Sequence, residues 1–313
     1  MIEKEIEILT IDPVEVFGLK EEKLKLLKSF YPKVKIVARG TKLKVMGEER
    51  AIEDFEKKFS MLLDHYDKYN SITEGDVANY MNGKGNGRGD TDVIVYGNKG
   101  MKIKARTKNQ SRLVKAVEKS DMVFAIGPAG TGKTYTAVAM AVKALKEDQV
   151  RKIIMTRPAV EAGERLGFLP GDMKDKLDPY MQPLYDALFD MIPPAKLRSL
   201  MEQRTIEIAP LAFMRGRTLD KAFVILDEAQ NATYSQLKMF LTRMGVHAKF
   251  VVTGDLTQVD LPKQQMSGLF QMMKRLEKIN GIELVRLDGS DVIRHKLVKD
   301  IIKAIDHKDK DDE

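Results

Sequence analysis

The order of apolar and polar positions changes near residue 100. Before that point it is mixed. Ile6-Glu-Ile-Leu-Thr10 predicts a first strand, and Leu19, Leu24, Leu26 and Leu27 recur at helical spacing until Tyr31-Pro32 ends the run. The apolar stretches Val34–Ala38 and Leu43–Met46 flank Arg39-Gly-Thr-Lys42, which reads as a hairpin. Ile52, Phe55, Phe59, Leu62, Leu63 and Tyr66 then predict an amphipathic helix. The order β-α-β-β-α over residues 1–66 describes a small α+β domain. Residues 67–104 read as a linker region, because Asn82-Gly-Lys-Gly-Asn-Gly-Arg-Gly-Asp90 alternates glycine with polar residues. A short strand is expected at Val93–Tyr96.

Residues 105–313 follow another rule. Apolar or β-branched runs stand at Met122–Ile126, Ile153–Thr156, Ile206–Ala209, Phe223–Leu226, Phe250–Thr253 and Leu284–Leu287. Helical patterns separate several of them, notably Thr134–Leu145 and Ser235–Met244. Continuous apolar strands with helices between them predict a mostly parallel α/β sheet covered on both faces.

The chemistry sits at the ends of those strands. Gly127-Pro-Ala-Gly-Thr-Gly-Lys-Thr134 fits G-x-x-x-x-G-K-[ST] between a predicted strand and a predicted helix. In such a loop Gly127, Pro128, Ala129, Gly130, Thr131 and Gly132 aim backbone N–H groups at phosphate oxygens, and the helix N-terminus adds a favourable dipole. Lys133 would span the β- and γ-phosphates of ATP, and the Thr134 hydroxyl would ligate Mg²⁺. Ala222–Leu226 ends in Asp227-Glu228, where Asp227 suits a metal-bound water and Glu228 a general base. Taken alone, such an acidic pair also fits a solvated strand end. Val251-Val-Thr-Gly-Asp-Leu-Thr-Gln258 ends a third strand, with Gln258 as a candidate γ-phosphate sensor and Thr253 and Asp255 as loop-ordering residues.

Charge and composition narrow the rest. Lys+Arg number 53 against 46 Asp+Glu, a net charge of +7 that suits a polyanionic partner and equally fits solvated basic faces. Cysteine is absent, so disulfides, thiolate metal sites and a cysteine nucleophile are excluded. The four histidines are scattered and predict no metal cluster. A charged start without an apolar segment, and no long apolar run, predict a cytoplasmic protein that does not enter a membrane.

The P-loop, Thr156-Arg-Pro-Ala-Val-Glu-Ala-Gly-Glu164, Leu166-Gly-Phe-Leu-Pro-Gly-Asp172, Asp178-Pro-Tyr180, Met214-Arg-Gly-Arg-Thr218, Asp227-Glu-Ala-Gln-Asn231 and Gly254-Asp-Leu-Thr-Gln258 together resemble the PhoH-like ATPases, the YbeZ group. Several of these boxes also resemble the first motor domain of superfamily 1 helicases. The resemblance implies a RecA-like P-loop core that hydrolyses ATP with Mg²⁺, with Gln110 reading the adenine edge. It implies a KH-like, RNA-associated domain ahead of that core, and work on RNA such as rRNA maturation beside the YbeY endoribonuclease.

Residue evidence for RNA contact is more open. Lysines 20, 23, 25, 28, 33, 35, 42 and 44, with Arg39, give one stretch a positive excess, but Gly18-Leu-Lys-Glu21 lacks the second glycine of a KH Gly-x-x-Gly loop. That favours backbone contact over base reading. Arg215 and Arg217 fit a phosphate contact or a solvated turn equally well.

Only 55 residues follow Gln258, fewer than the roughly 100–150 of an ordinary domain, so no second motor half is expected within this sequence. The expectation is a homo-oligomer, such as a hexameric ring, with Arg294 supplied in trans to the γ-phosphate. Two rival readings stay open: a nucleotide-switched RNA-binding adaptor with incidental turnover, and an RNA helicase that acts as an oligomer.

Overall fold

The computed structural model describes residues 2–8, 11–84, 93–158, 173–262, 265–293 and 297. Arg294, the glycine-rich 85–92 stretch and most of the Thr156–Asp172 segment lie outside the described residues. The chain divides into two compact units. The first comprises residues 1–104, 142–152 and 185–207, and the second 105–141, 153–184 and 208–313.

The first unit opens with β1 (Ile2–Glu7), α1 (Pro13–Phe17), α2 (Glu22–Phe30), β2 (Lys35–Arg39), β3 (Lys42–Gly47) and α3 (Glu49–Tyr69). Its sheet is antiparallel in the order β1-β3-β2, with Ile6 opposite Leu43 and Ile36 opposite Val45. α2 covers most of the helix expected over 19–30, and the shorter α1 precedes it. Asp12 caps Val14 N–H at 2.9 Å and Pro13 starts α1, but Gly18 (φ 82°), Lys20 (φ 55°) and Glu21 (φ 60°) turn the chain before α2 can begin. Glu21 thus takes the left-handed conformation that glycine adopts without strain. Phe55 and Phe59 stack at 5.4 Å on the buried face of α3, over Leu24, Leu27, Leu43 and Val45.

The linker expected at 67–104 is largely ordered structure. α3 runs on to Tyr69, α4 (Glu74–Met81) starts at a Thr73/Asp76 capping box, and β4 (Val93–Tyr96) pairs with β5 (Lys102–Lys104). Ile72, Val77 and Met81 are buried in the same cluster as α3, so this stretch belongs to the first unit's core. The first unit thus runs on past residue 66 to 104, and it also takes in 142–152 and 185–207. Among the described residues of this stretch, burial of a few apolar side chains decides the structure, and the glycine-rich 85–92 lies outside them.

The remaining elements are α5 (Lys108–Lys119), β6 (Met122–Ile126), α6 (Lys133–Lys146), β7 (Lys152–Arg157), α7 (Met173–Met191), α8 (Pro194–Glu202), β8 (Ile206–Pro210), β9 (Ala222–Leu226), α9 (Tyr234–Leu241), β10 (Lys249–Gly254), α10 (Leu269–Leu276) and β11 (Ile282–Arg286). Six strands form one parallel sheet in the order β11-β6-β10-β9-β7-β8. All five residues of β6 and of β9 are buried, as their unbroken apolar runs require of strands covered on both faces. Strand β10 lies between β6 and β9, so the loops after these three strands emerge side by side at the carboxyl edge. No helix among the described residues is long and apolar enough to cross a membrane.

Candidate nucleotide site

Residues 127–132 link β6 to α6 and need glycine for two separate reasons. A Cβ on Gly127 would lie 2.4 Å from the Leu287 carbonyl oxygen, so backbone from the far side of the loop excludes any side chain. Gly130 and Gly132 have φ of 80° and 78°, conformations that strain other residues. Thr131 is buried, its hydroxyl donating to the Pro128 carbonyl at 2.9 Å. The Lys133 ammonium donates to the carbonyls of Gly127 (2.6 Å) and Pro128 (2.8 Å), which folds the lysine back over the loop. Burial pushes this amine below the ordinary lysine range, against the attraction of Asp255, Glu228 and Asp227. The Ala129 N–H already donates to a carboxylate, Asp255 Oδ2, at 3.0 Å. A loop whose amide holds an anionic oxygen is chemically suited to phosphate.

Asp227 is the hub of the acidic side. It is 1% exposed, and its backbone N–H donates to the Thr156 carbonyl at 2.9 Å, tying the end of β9 to β7. Oδ1 accepts from the hydroxyls of Thr134 (2.6 Å) and Thr253, and Oδ2 accepts from Arg157 Nε at 2.8 Å. Thr134 and Asp227 thereby offer two hard oxygens at one point beside the P-loop. That donor set fits Mg²⁺, which is commonly held by a carboxylate or two together with substrate phosphates.

Glu228 is set apart from its neighbour by the backbone. It has φ 54° and ψ 41°, a left-handed conformation that costs a non-glycine residue about 1–2 kcal/mol. Two contacts hold it there: Gln230 Nε2 donates to Oε2 at 2.6 Å, and Arg157 approaches Oε1 at 3.4 Å. Gln230 then accepts from the Asp255 N–H at 2.9 Å, so one side chain connects the acidic box to the loop after β10. With 42% of its side chain exposed, Glu228 can reach water, whereas Asp227 is sealed in.

The other expected residues fall unevenly. Asp255 Oδ1 accepts from the Thr257 N–H (2.9 Å) and hydroxyl (2.6 Å) in the loop after β10, whereas the Thr253 hydroxyl donates to Asp227. Gln258 is exposed, and its backbone N–H closes a turn onto the Asp255 carbonyl at 3.3 Å. Gln110 is 3% exposed with both ends of its amide engaged: Nε2 donates to the Thr131 carbonyl at 2.9 Å, and Oε1 accepts from Arg106 N–H at 2.8 Å. In this arrangement it braces the P-loop from α5. Asn109 bonds Asp291 at 2.8 Å instead. Residues 289–291 form a single 3-10 turn capped by Asp288, and Arg294 lies outside the described residues.

Sequence reasoning passed over Gln230, and it placed Arg157 near the nucleotide or a nucleic acid without giving it a contact. Both sit inside motifs already quoted, but only the sheet order β10-β9-β7 shows what they touch.

A profile of the PhoH-like protein family matches residues 102–306. The chain belongs to the PhoH-like family. A PhoH-like protein of Bacillus subtilis is 46% identical over 301 residues, covering 94% of each chain. One from Synechocystis is 43% identical over 297 residues, 93% of this chain and 90% of the relative. The Escherichia coli protein PhoH matches 204 residues at 44%, which is 64% of this chain and 58% of that one. Membership and the P-loop together support an ATP-binding NTPase.

Proposed function

We propose that this PhoH-like chain hydrolyses ATP with Mg²⁺. The observation that carries the reading is the Thr134–Asp227 pair at the end of the P-loop, with Glu228 turned away from it. Lys133 and the loop amides would hold the β- and γ-phosphates, and Thr134 and Asp227 the metal. The metal's chemistry when bound is to offset charge on the phosphates. Glu228, held by Gln230 and Arg157, takes the proton of the attacking water. Lys133→Ala should lose tight ATP binding, and Glu228→Gln should keep binding while turnover falls by about a hundredfold or more. Parental turnover in both variants would refute the assignment.

We further propose that turnover serves RNA-associated work such as rRNA maturation. Support comes from the lysine-rich 20–44 stretch and the KH-like order of the first three strands. We propose as well that the chain works as an oligomer with an arginine supplied in trans. ATPase rates with and without RNA, measured across a range of protein concentrations, test both points. Rates indifferent to RNA and to concentration would leave a monomeric ATPase.

A further inference from the structure

We propose that Arg157 is a γ-phosphate-reading residue acting within one chain, so that the site recognises a nucleoside triphosphate without waiting for a partner's arginine. The inference rests on the ATP-site reading above. Arg157 ends β7, and its side chain is only 16% exposed. A guanidinium carries five N–H donors in a rigid fork. Nε donates to Asp227 at 2.8 Å, one terminal nitrogen donates to the Tyr180 carbonyl at 2.7 Å, and the other approaches Glu228 at 3.4 Å. Three donors are thus engaged among the described residues, and two N–H groups remain.

Its place in the site says what they are for. Asp227 accepts from Thr134 on one oxygen and from Arg157 on the other, so the guanidinium lies one carboxylate away from the P-loop threonine. It contacts both the residue assigned to the metal and the residue assigned to the water. The group that metal and attacking water both meet in phosphoryl transfer is the terminal phosphate. Without Arg157, two adjacent carboxylates would face a polyanionic ligand with less of their charge opposed. With it, the fork fixes both carboxylates and presents a cation to the phosphate. Lysine would supply charge as a single point and lose the bidentate geometry.

The test compares Mg²⁺-dependent binding of ADP and of a non-hydrolysable ATP analogue, by calorimetry, for the parental protein, Arg157→Lys and Arg157→Gln. Thermal melting checks that each variant is folded, and the lysine variant keeps the charge beside Asp227. The parental chain should prefer the triphosphate. Both variants should lose about tenfold or more of that preference, while ADP affinity stays within about threefold. An unchanged preference, or equal losses for ADP and triphosphate, would reduce Arg157 to a prop for Asp227 and overturn the inference alone. A parental protein that binds neither nucleotide would remove the ATP site itself.

Discussion

Thr134 and Asp227 lie 93 residues apart in sequence, and the threonine hydroxyl donates to the aspartate Oδ1 at 2.6 Å. One residue comes from the first turn of α6 and the other from the end of β9. The parallel strands between them bring both to the same edge of the sheet. Truncating the side chain at Cβ removes one of the two oxygens offered to a metal. Thr134→Ala should bind nucleotide in EDTA like the parental chain and lose about tenfold or more of the affinity gained on adding Mg²⁺. Equal enhancement by Mg²⁺ in both proteins would take Thr134 out of the metal site.

Gln110 separates two roles that sequence alone could not. A residue that reads adenine should favour ATP over GTP, and its loss should erase that preference. A residue that braces the loop through the Thr131 carbonyl should weaken both nucleotides alike. The buried amide predicts the second outcome for Gln110→Ala, with a stability loss of about 1–3 kcal/mol from the groups left unpaired. Competition binding with the two nucleotides decides, and a selective loss of ATP would return Gln110 to the base.

Deleting residues 1–66 should not release a clean ATPase core. The cut would strip the partners of Ile72, Val77 and Met81, which share a buried cluster with α3. The shortened chain should bind a hydrophobic dye and aggregate. Well-behaved 67–313 protein with cooperative melting would show that this cluster is dispensable.

Lys146 should make stability depend on pH. Burial, aided by repulsion from Lys196, lowers its amine from 10.5 to about 7, and Tyr96 offers it a backbone carbonyl at 3.2 Å. Between about 7 and 10.5 the unfolded chain binds a proton here that the folded chain has released. Stability therefore rises with pH through that window, by up to about 1.4 kcal/mol per unit from this group. Below about 7 both states hold the proton and the contribution levels off. Lys146→Met should flatten the slope in melts taken from pH 7 to 10, and an unchanged slope would place its origin elsewhere.

Much of the site was legible because its chemistry is local. The P-loop reads directly as eight consecutive residues, since the glycine conformations, the lysine and the helix start all lie within one turn of chain. The strands of the large sheet were legible too, because burial on both faces demands unbroken apolar runs of the central ones. Other features depended on the fold. Gln110 reads as an exposed helix residue until packing brings Thr131 onto it. The 67–104 stretch reads as linker until α3 covers Val77. Helix α7 was hidden by Pro179 and Pro183, which break the pattern a helix is recognised by. Periodicity records which face of an element is apolar, and a short motif records its own backbone. Neither records which distant carboxylate an arginine will meet. The order of strands β10, β9 and β7 set Arg157 against Asp227 and Glu228, and that order exists only once the sheet has formed.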